Sequence, residues 1–174
     1  MSAEKNTAHG SAVLVGNRAV LVRGPSGAGK SRLVLELIWA GQAGPLDAAM
    51  LVGDDRVHLE ARDNRLWVRP APQLAGLIEV RGLGIRRLDH AASAVVGLVV
   101  DLDAADAARL PEPSALRTVI ESVELPRIPV GAGFPPLPLV LAALTTTEGA
   151  TSQRASDDCP KGIGNHISPT IATE

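Results

Sequence analysis

The sequence predicts an α/β domain. Residues 19–22 form a short apolar run suited to a buried strand, a glycine-rich loop follows at once, and apolar residues then recur at Val34, Leu37 and Ile38 with helical spacing across residues 31–40. Carboxylates also lie twice just beyond strand-like runs, at Asp54-Asp55 and at Asp101-Leu102-Asp103. Open α/β sheets gather their ligand-binding groups at such strand ends.

The elements follow in order. Residues 12–15 and 19–22 flank Gly16-Asn17-Arg18, whose turn chemistry predicts a hairpin that delivers the chain into the glycine-rich loop. The helix after the loop is expected to stop at Gly41. A connection containing Gly and Pro, residues 42–46, leads to an apolar strand over 49–52, expected to neighbour the loop strand and ending at Gly53-Asp54-Asp55-Arg56. Residues 57–60 and 65–68 read as a second hairpin turning at Asp63-Asn64. Glu79-Val80-Arg81-Gly82-Leu83-Gly84-Ile85 predicts a sharply turning segment, because its two glycines are one residue apart. Residues 95–100 are the most apolar strand candidate, 104–110 a short helix before Pro111, and 116–123 a further strand. Prolines at 135, 136 and 138 open a closing helix over 135–144, since the first turn of a helix tolerates them.

From Thr145 onward apolar density falls and Thr, Ser, Gly, Asp and Pro take over. One domain is therefore expected over residues 1–144, with a mostly disordered tail over 145–174. The formal charge of −2 and the single Cys159 argue against a basic nucleic-acid surface and a disulfide scaffold. The start lacks the apolar stretch of a signal peptide and no apolar run is long enough to span a membrane, so the expected compartment is the cytoplasm.

Gly24-Pro25-Ser26-Gly27-Ala28-Gly29-Lys30-Ser31 is a complete G-x-x-x-x-G-K-[ST] phosphate-binding loop, preceded by a strand and followed by a helix as that motif requires. Its glycines let successive backbone N–H groups converge on phosphate oxygens with no Cβ in the way. Lys30 is the point charge for the β- and γ-phosphates, and the Ser31 hydroxyl is the Mg²⁺ ligand. Binding of a nucleoside triphosphate, with ATP and Mg²⁺ as cofactors, is the expectation.

The loop alone does not separate a kinase from a switch or a motor. Asp54 and Asp55 supply two carboxylates at one strand end, one for the Mg²⁺ shell and one to accept a proton from an attacking hydroxyl; the alternative is a solvated acidic turn before Arg56. Glu79 is a candidate metal ligand and Arg81 a candidate phosphate clamp, or the two are an exposed pair beside a glycine-rich turn. His9-Gly10 lies where the first hairpin can return it over the loop, although a lone His near a chain start is commonly a surface residue. Arg109 is a candidate charge for a transferring phosphoryl group, or a partner for a helix dipole.

Together, His9-Gly10, the loop from Gly24 to Ser31, Asp54-Asp55 and Glu79 to Ile85 resemble, in that order, the catalytic domain of bacterial HPr kinase/phosphorylase. The likeness runs from His9 to about Leu144. It implies a phosphate-loop kinase fold of the phosphoenolpyruvate-carboxykinase-like type, with a central mixed sheet and flanking helices, and a hexameric assembly. It implies ATP-dependent phosphorylation of a serine of the phosphocarrier protein HPr, with no nucleic-acid or membrane partner. Asp55 matches the general base that becomes the acid in phosphorolysis, Lys30, His9 and Arg109 match catalytic positions, and Ser31 and Glu79 match Mg²⁺ ligands.

The chain also departs from the family pattern. It opens a few residues before His9, where longer members carry a regulatory domain, and its connection from the first helix to Asp54-Asp55 is longer. Where the family has a Pro-Val-x-x-Gly-Arg-Asn-like loop linked to phosphorolysis, this chain reads Pro129-Val130-Gly131-Ala132-Gly133-Phe134. Retained kinase and reduced phosphorylase activity are therefore expected. A small-molecule kinase on the same scaffold and a nucleotide-gated binding module without transfer are the rival expectations.

Overall fold

The computed structural model describes residues 7–147. Eleven strands and two α-helices follow one another as β1 (Thr7–His9), β2 (Ser11–Val15), β3 (Arg18–Arg23), α1 (Lys30–Ala43), β4 (Ala49–Gly53), β5 (Arg56–Arg62), β6 (Arg65–Pro70), β7 (Leu77–Val80), β8 (Gly84–Arg87), β9 (Ala94–Leu102), β10 (Arg117–Ile120), β11 (Val123–Val130) and α2 (Pro136–Thr145). The expected tail falls outside the described residues from position 148 onward.

The main sheet is mixed and runs β1-β5-β6-β9-β3-β2-β4. Both β2–β3 and β2–β4 are antiparallel, which makes β4 parallel to β3. The strand that ends at Asp54 is thus not the immediate neighbour of the loop strand, as the sequence suggested, because β2 lies between them. The parity of two antiparallel steps still delivers both strand ends to the same edge. On the other side of β3, β9 runs parallel to it, and β11 runs parallel to the second half of β9.

Apolar residues divide between the two faces of this sheet. On one face Val20 and Val22 of β3 and Leu98, Val100 and Leu102 of β9 pack with Leu33, Val34, Leu37 and Ile38 of α1 and Val140 of α2. On the other face Ala19, Leu21, Val96 and Val99 pack with Val57, Leu66 and Val68, so strands rather than helices close it. Between Val96 and Leu98 the register slips by one residue at Gly97, which moves the next side chains to the opposite face. Each fully buried Leu or Val in these clusters contributes about 1.5–3 kcal/mol of transfer free energy.

Both predicted hairpins form, and the second turns through Asp63 and Asn64 at φ of 52° and 56°, the left-handed pair that a two-residue turn needs. Gly41 does not end α1. The helix runs two residues further and closes on Gly44, which has φ 102° and donates its N–H to the carbonyl of Ala40. Gly41 is instead a point of close approach, where a Cβ would lie 2.8 Å from the Ala49 nitrogen and 2.9 Å from the Asp47 oxygen.

Three further segments differ from the sequence pattern. Strand β9 continues through Asp101, whose carboxylate is inside the strand rather than beyond it. Residues 104–110 form turns, not a helix: the Ala104 N–H donates to Val130 and Asp106 is held by Arg127, so sheet contacts outcompete a segment too short to nucleate helix alone. The single strand over 116–123 is two strands, β10 and β11, reversed at Glu121 and Ser122, both with positive φ. Pro126 and Pro129 hide β11 from a strand pattern.

Candidate active site

A cleft of roughly 1200 Å³ opens at the edge of the sheet where β3, β4, β9 and β11 end. Its floor is the phosphate loop. Gly24, Gly27 and Gly29 have φ of 146°, 82° and 98°, values that L side chains avoid, and this bends Gly24-Pro25-Ser26-Gly27-Ala28-Gly29 into an open cradle ahead of α1. The first turn of α1 carries no acidic residue, so its free N–H groups and dipole are available to an anion. Lys30 folds back on the loop, donating to the carbonyls of Gly24 at 3.0 Å and Pro25 at 2.9 Å. Burial lowers the pKa of its ammonium, opposed by the charges of Asp55 and Asp54.

Asp54 is buried, with 3% of its surface exposed, and both of its oxygens accept hydrogen bonds. The Ser31 hydroxyl lies 2.8 and 2.9 Å from its two oxygens, the Ser11 hydroxyl donates to Oδ1 at 2.5 Å, and the Glu79 N–H donates to Oδ2 at 3.1 Å. One carboxylate therefore fixes three elements that meet at the cleft: β2 through Ser11, the start of α1 through Ser31, and β7 through Glu79. A buried charge is tolerated only when it is hydrogen-bonded in this manner.

Asp55 has a different environment. Its side chain is open to solvent, its backbone sits at φ 67°, and its carbonyl accepts the N–H of Gly10 at 3.1 Å. Because β1 pairs with β5 in the register His9↔Arg56, the imidazole of His9 is brought beside it, Nε2 to Oδ1 at 3.4 Å. A non-glycine residue in the left-handed region costs about 1–3 kcal/mol and persists where surrounding structure enforces it. Two adjacent carboxylates thus separate into a buried anchor and a solvent-facing acceptor.

The β7–β8 hairpin carries Glu79 and Arg81 to the cleft, anchored on α1 by the buried Ile78. Arg81 reaches across to Gly27, where an added Cβ would lie 3.7 Å from its guanidinium. Arg109 is exposed in the turn segment and does not line the cleft. The charge beneath the loop is organised instead by Asp101, which accepts from Arg23 at 2.7 Å and from Arg127 at 2.5 Å. Burial alone would raise the Asp101 pKa, but the two guanidinium groups outweigh it and hold it below the ordinary carboxylate value, and Asp106 raises that of Arg127.

Sequence reasoning missed Ser11, Trp39 and Phe134, all of which line the cleft. The signal for Ser11 was present, as a lone hydroxyl heading an otherwise apolar strand. No group of three or more His, Cys, Asp or Glu suited to hold a metal by itself occurs among the described residues, and no helix among them is long and apolar enough to cross a membrane.

A family model described as the HPr serine kinase C-terminal domain matches residues 1–131. The HPr kinase/phosphorylases of Streptococcus thermophilus and Streptococcus salivarius are each 43% identical to this chain over 84 residues, which is 48% of this chain and 25% of the relative. The match thus spans about a quarter of the length of these curated relatives. Among solved structures, the HPr(Ser) kinase/phosphatase from Coxiella burnetii matches with a TM-score of 0.63 and 25% identity, covering 80% of this chain and 93% of that one.

Proposed function

Since the chain belongs to the HPr serine kinase C-terminal domain family, we propose that it transfers the γ-phosphoryl group of ATP to a serine hydroxyl of HPr. The observation that carries this is the pairing of an open phosphate cradle with an exposed carboxylate, Asp55, held at its rim beside His9. A module that only binds nucleotide has no use for that acceptor.

Asp55 accepts the proton of the incoming serine hydroxyl, and the serine oxygen bonds to the γ-phosphorus as the bridge to the β-phosphate breaks and ADP leaves. Lys30 leaves its two loop carbonyls for phosphate oxygens, which with the loop amides and Arg81 balance the charge on the transferring group. His9 orients the Asp55 carboxylate. In the reverse direction the protonated Asp55 returns its proton to the serine oxygen as inorganic phosphate takes the phosphoryl group.

The residues present fit a magnesium ion of the phosphate-loop type. The Ser31 hydroxyl gives its proton to Asp54 and keeps its oxygen lone pairs for a cation, while the exposed Glu79 carboxylate lines the same cleft. Two hard oxygen ligands without a closed protein cage suit Mg²⁺, which Ser31 and Glu79 would hold and which would neutralise charge on the phosphate oxygens. Asp54 acts through Ser31 in this reading, since its own oxygens are already engaged.

Residues 1–144 form the catalytic unit, acting in the cytoplasm as a homo-oligomer, a hexamer by family likeness. Phe134-Pro135 stands where the family has Arg-Asn, so phosphorolysis is weaker than the forward reaction. Phosphoserine-HPr converted to HPr and pyrophosphate as fast as HPr is phosphorylated would overturn that point. The primary test is label transfer from γ-labelled ATP to HPr and to HPr whose target serine is alanine. Label on the normal HPr alone is expected, and label on neither, with ATP binding intact, refutes the assignment. Asp55→Ala should abolish transfer and spare ATP binding, whereas Lys30→Ala should weaken both.

A further inference from the structure

The chain contains three aromatic side chains, Trp39, Trp67 and Phe134, and no tyrosine. Trp67 has an intramolecular partner, the Arg62 guanidinium stacked 4.7 Å from its ring centroid. The other two line the cleft, and both are exposed, Trp39 by 57% and Phe134 by 70%. Leaving most of an aromatic ring in water forfeits burial that folding would otherwise gain. Two exposed rings sharing one cleft therefore mark a surface suited to a flat, apolar partner.

Their position identifies that partner. In phosphoryl transfer the attacking and leaving oxygens lie roughly in line on opposite sides of the phosphorus. The acceptor approaches over Asp55, at the end of β4, on one side of the loop strand β3. The nucleoside end of the donor then extends towards the other side, where β9 and β11 end in Leu102, Asp103 and Gly131 and the chain continues into Phe134. There α2 meets α1, with Leu137 and Leu141 packed against the cluster that holds Leu35 and Ile38. Trp39 follows Leu35 and Glu36 on the same stripe of α1, about 12 Å along the helix axis from Ser31.

Resting on the nucleotide-dependent reading above, we propose that Trp39 and Phe134 form a stacking subsite for the nucleobase of the phosphate donor. Stacking tolerates any base, because every base presents a π face. The subsite therefore gives affinity for nucleoside triphosphates over inorganic polyphosphate without a strict choice among bases.

The test compares the full chain with its Trp39→Ala, Phe134→Ala and Trp39→Phe variants, measuring affinities for ATP and for inorganic tripolyphosphate, each with Mg²⁺, by calorimetry. Each alanine variant should lose roughly 5- to 100-fold in ATP affinity and keep its tripolyphosphate affinity, whereas Trp39→Phe, which keeps a ring at that position, should retain most of the ATP affinity. Equal affinity of the wild type for the two ligands, or variants that weaken both alike, would overturn the subsite while leaving the phosphate loop intact. Binding of neither ligand by the wild type would overturn the nucleotide reading and the subsite together. Unchanged ATP affinity with a raised KM for HPr would assign the aromatic pair to the acceptor protein and likewise refute the proposal.

Discussion

Replacing Ser11 by alanine tests whether the buried Asp54 carboxylate holds the site together. Ser11 has no exposed surface and its hydroxyl donates to Asp54 Oδ1 at 2.5 Å. Alanine removes one of the three donating groups from a carboxylate that is itself only 3% exposed, and water has little access to replace it. A hydrogen bond to a charged group contributes about 1.5–3 kcal/mol. With a urea slope of about 2 kcal/mol/M, the unfolding midpoint of Ser11→Ala should fall by about 1 M at unchanged slope. Ser114→Ala, at an exposed position in a short 3₁₀ turn, is the control and should stay within about 0.5 kcal/mol of the parent. A Ser11→Ala midpoint within about 0.2 M of the parent would refute the reasoning, because Asp54 would then not depend on that donor.

Gly41→Ala should destabilise by about 1–3 kcal/mol by thermal or urea unfolding, although alanine is the better helix former, because the added methyl meets backbone atoms of the Asp47–Ala49 crossing rather than a side chain that can swing away. A neutral or stabilising result would show that this crossing yields. Asp101 has a folded pKa below its unfolded value, so its contribution to stability is complete above the unfolded carboxylate pKa of about 3.9 and is lost as pH falls through the lower folded value. Asp101→Asn should therefore be less stable than the parent at neutral pH, by about 1.5 kcal/mol or more, and the two unfolding curves should converge below about pH 4. A gap that stays constant down to pH 3 would contradict this.

The phosphate loop, both hairpins and the closing helix were legible because each rests on local chemistry: glycines where φ must be positive, Asp63-Asn64 at a left-handed turn, prolines in a first helical turn. What escaped was decided by distant contacts. Gly41 looks like a stop signal until the Asp47–Ala49 crossing supplies the reason for a missing Cβ. Residues 104–110 have helical composition, yet Val130 and Arg127 take their polar groups. The β10–β11 reversal uses Glu121-Ser122, a pair with no turn signature, held by cross-strand partners from Arg117↔Pro126 to Ile120↔Val123. At the site, the motif named Asp54 and Asp55 together, but only the sheet assigns one to the interior and the other to solvent. No spacing ties Arg109 to the loop, and its side chain is not among those that line the cleft.

The strand that carries His9 is three residues long and is bound to the sheet along β5 alone, with Ala8 its one described contact with the apolar cluster behind it. Elements with so few buried contacts open at a small fraction of the global unfolding free energy. The group beside Asp55 is consequently mounted on a lightly anchored strand, while the cradle for phosphate is flanked by β3 and α1, whose Val20, Val22, Leu33 and Val34 are buried. On warming, loss of the His9–Asp55 contact should precede melting of the sheet, so that the proposed phosphoryl transfer should decline over a range of temperature in which circular dichroism still reports a folded protein.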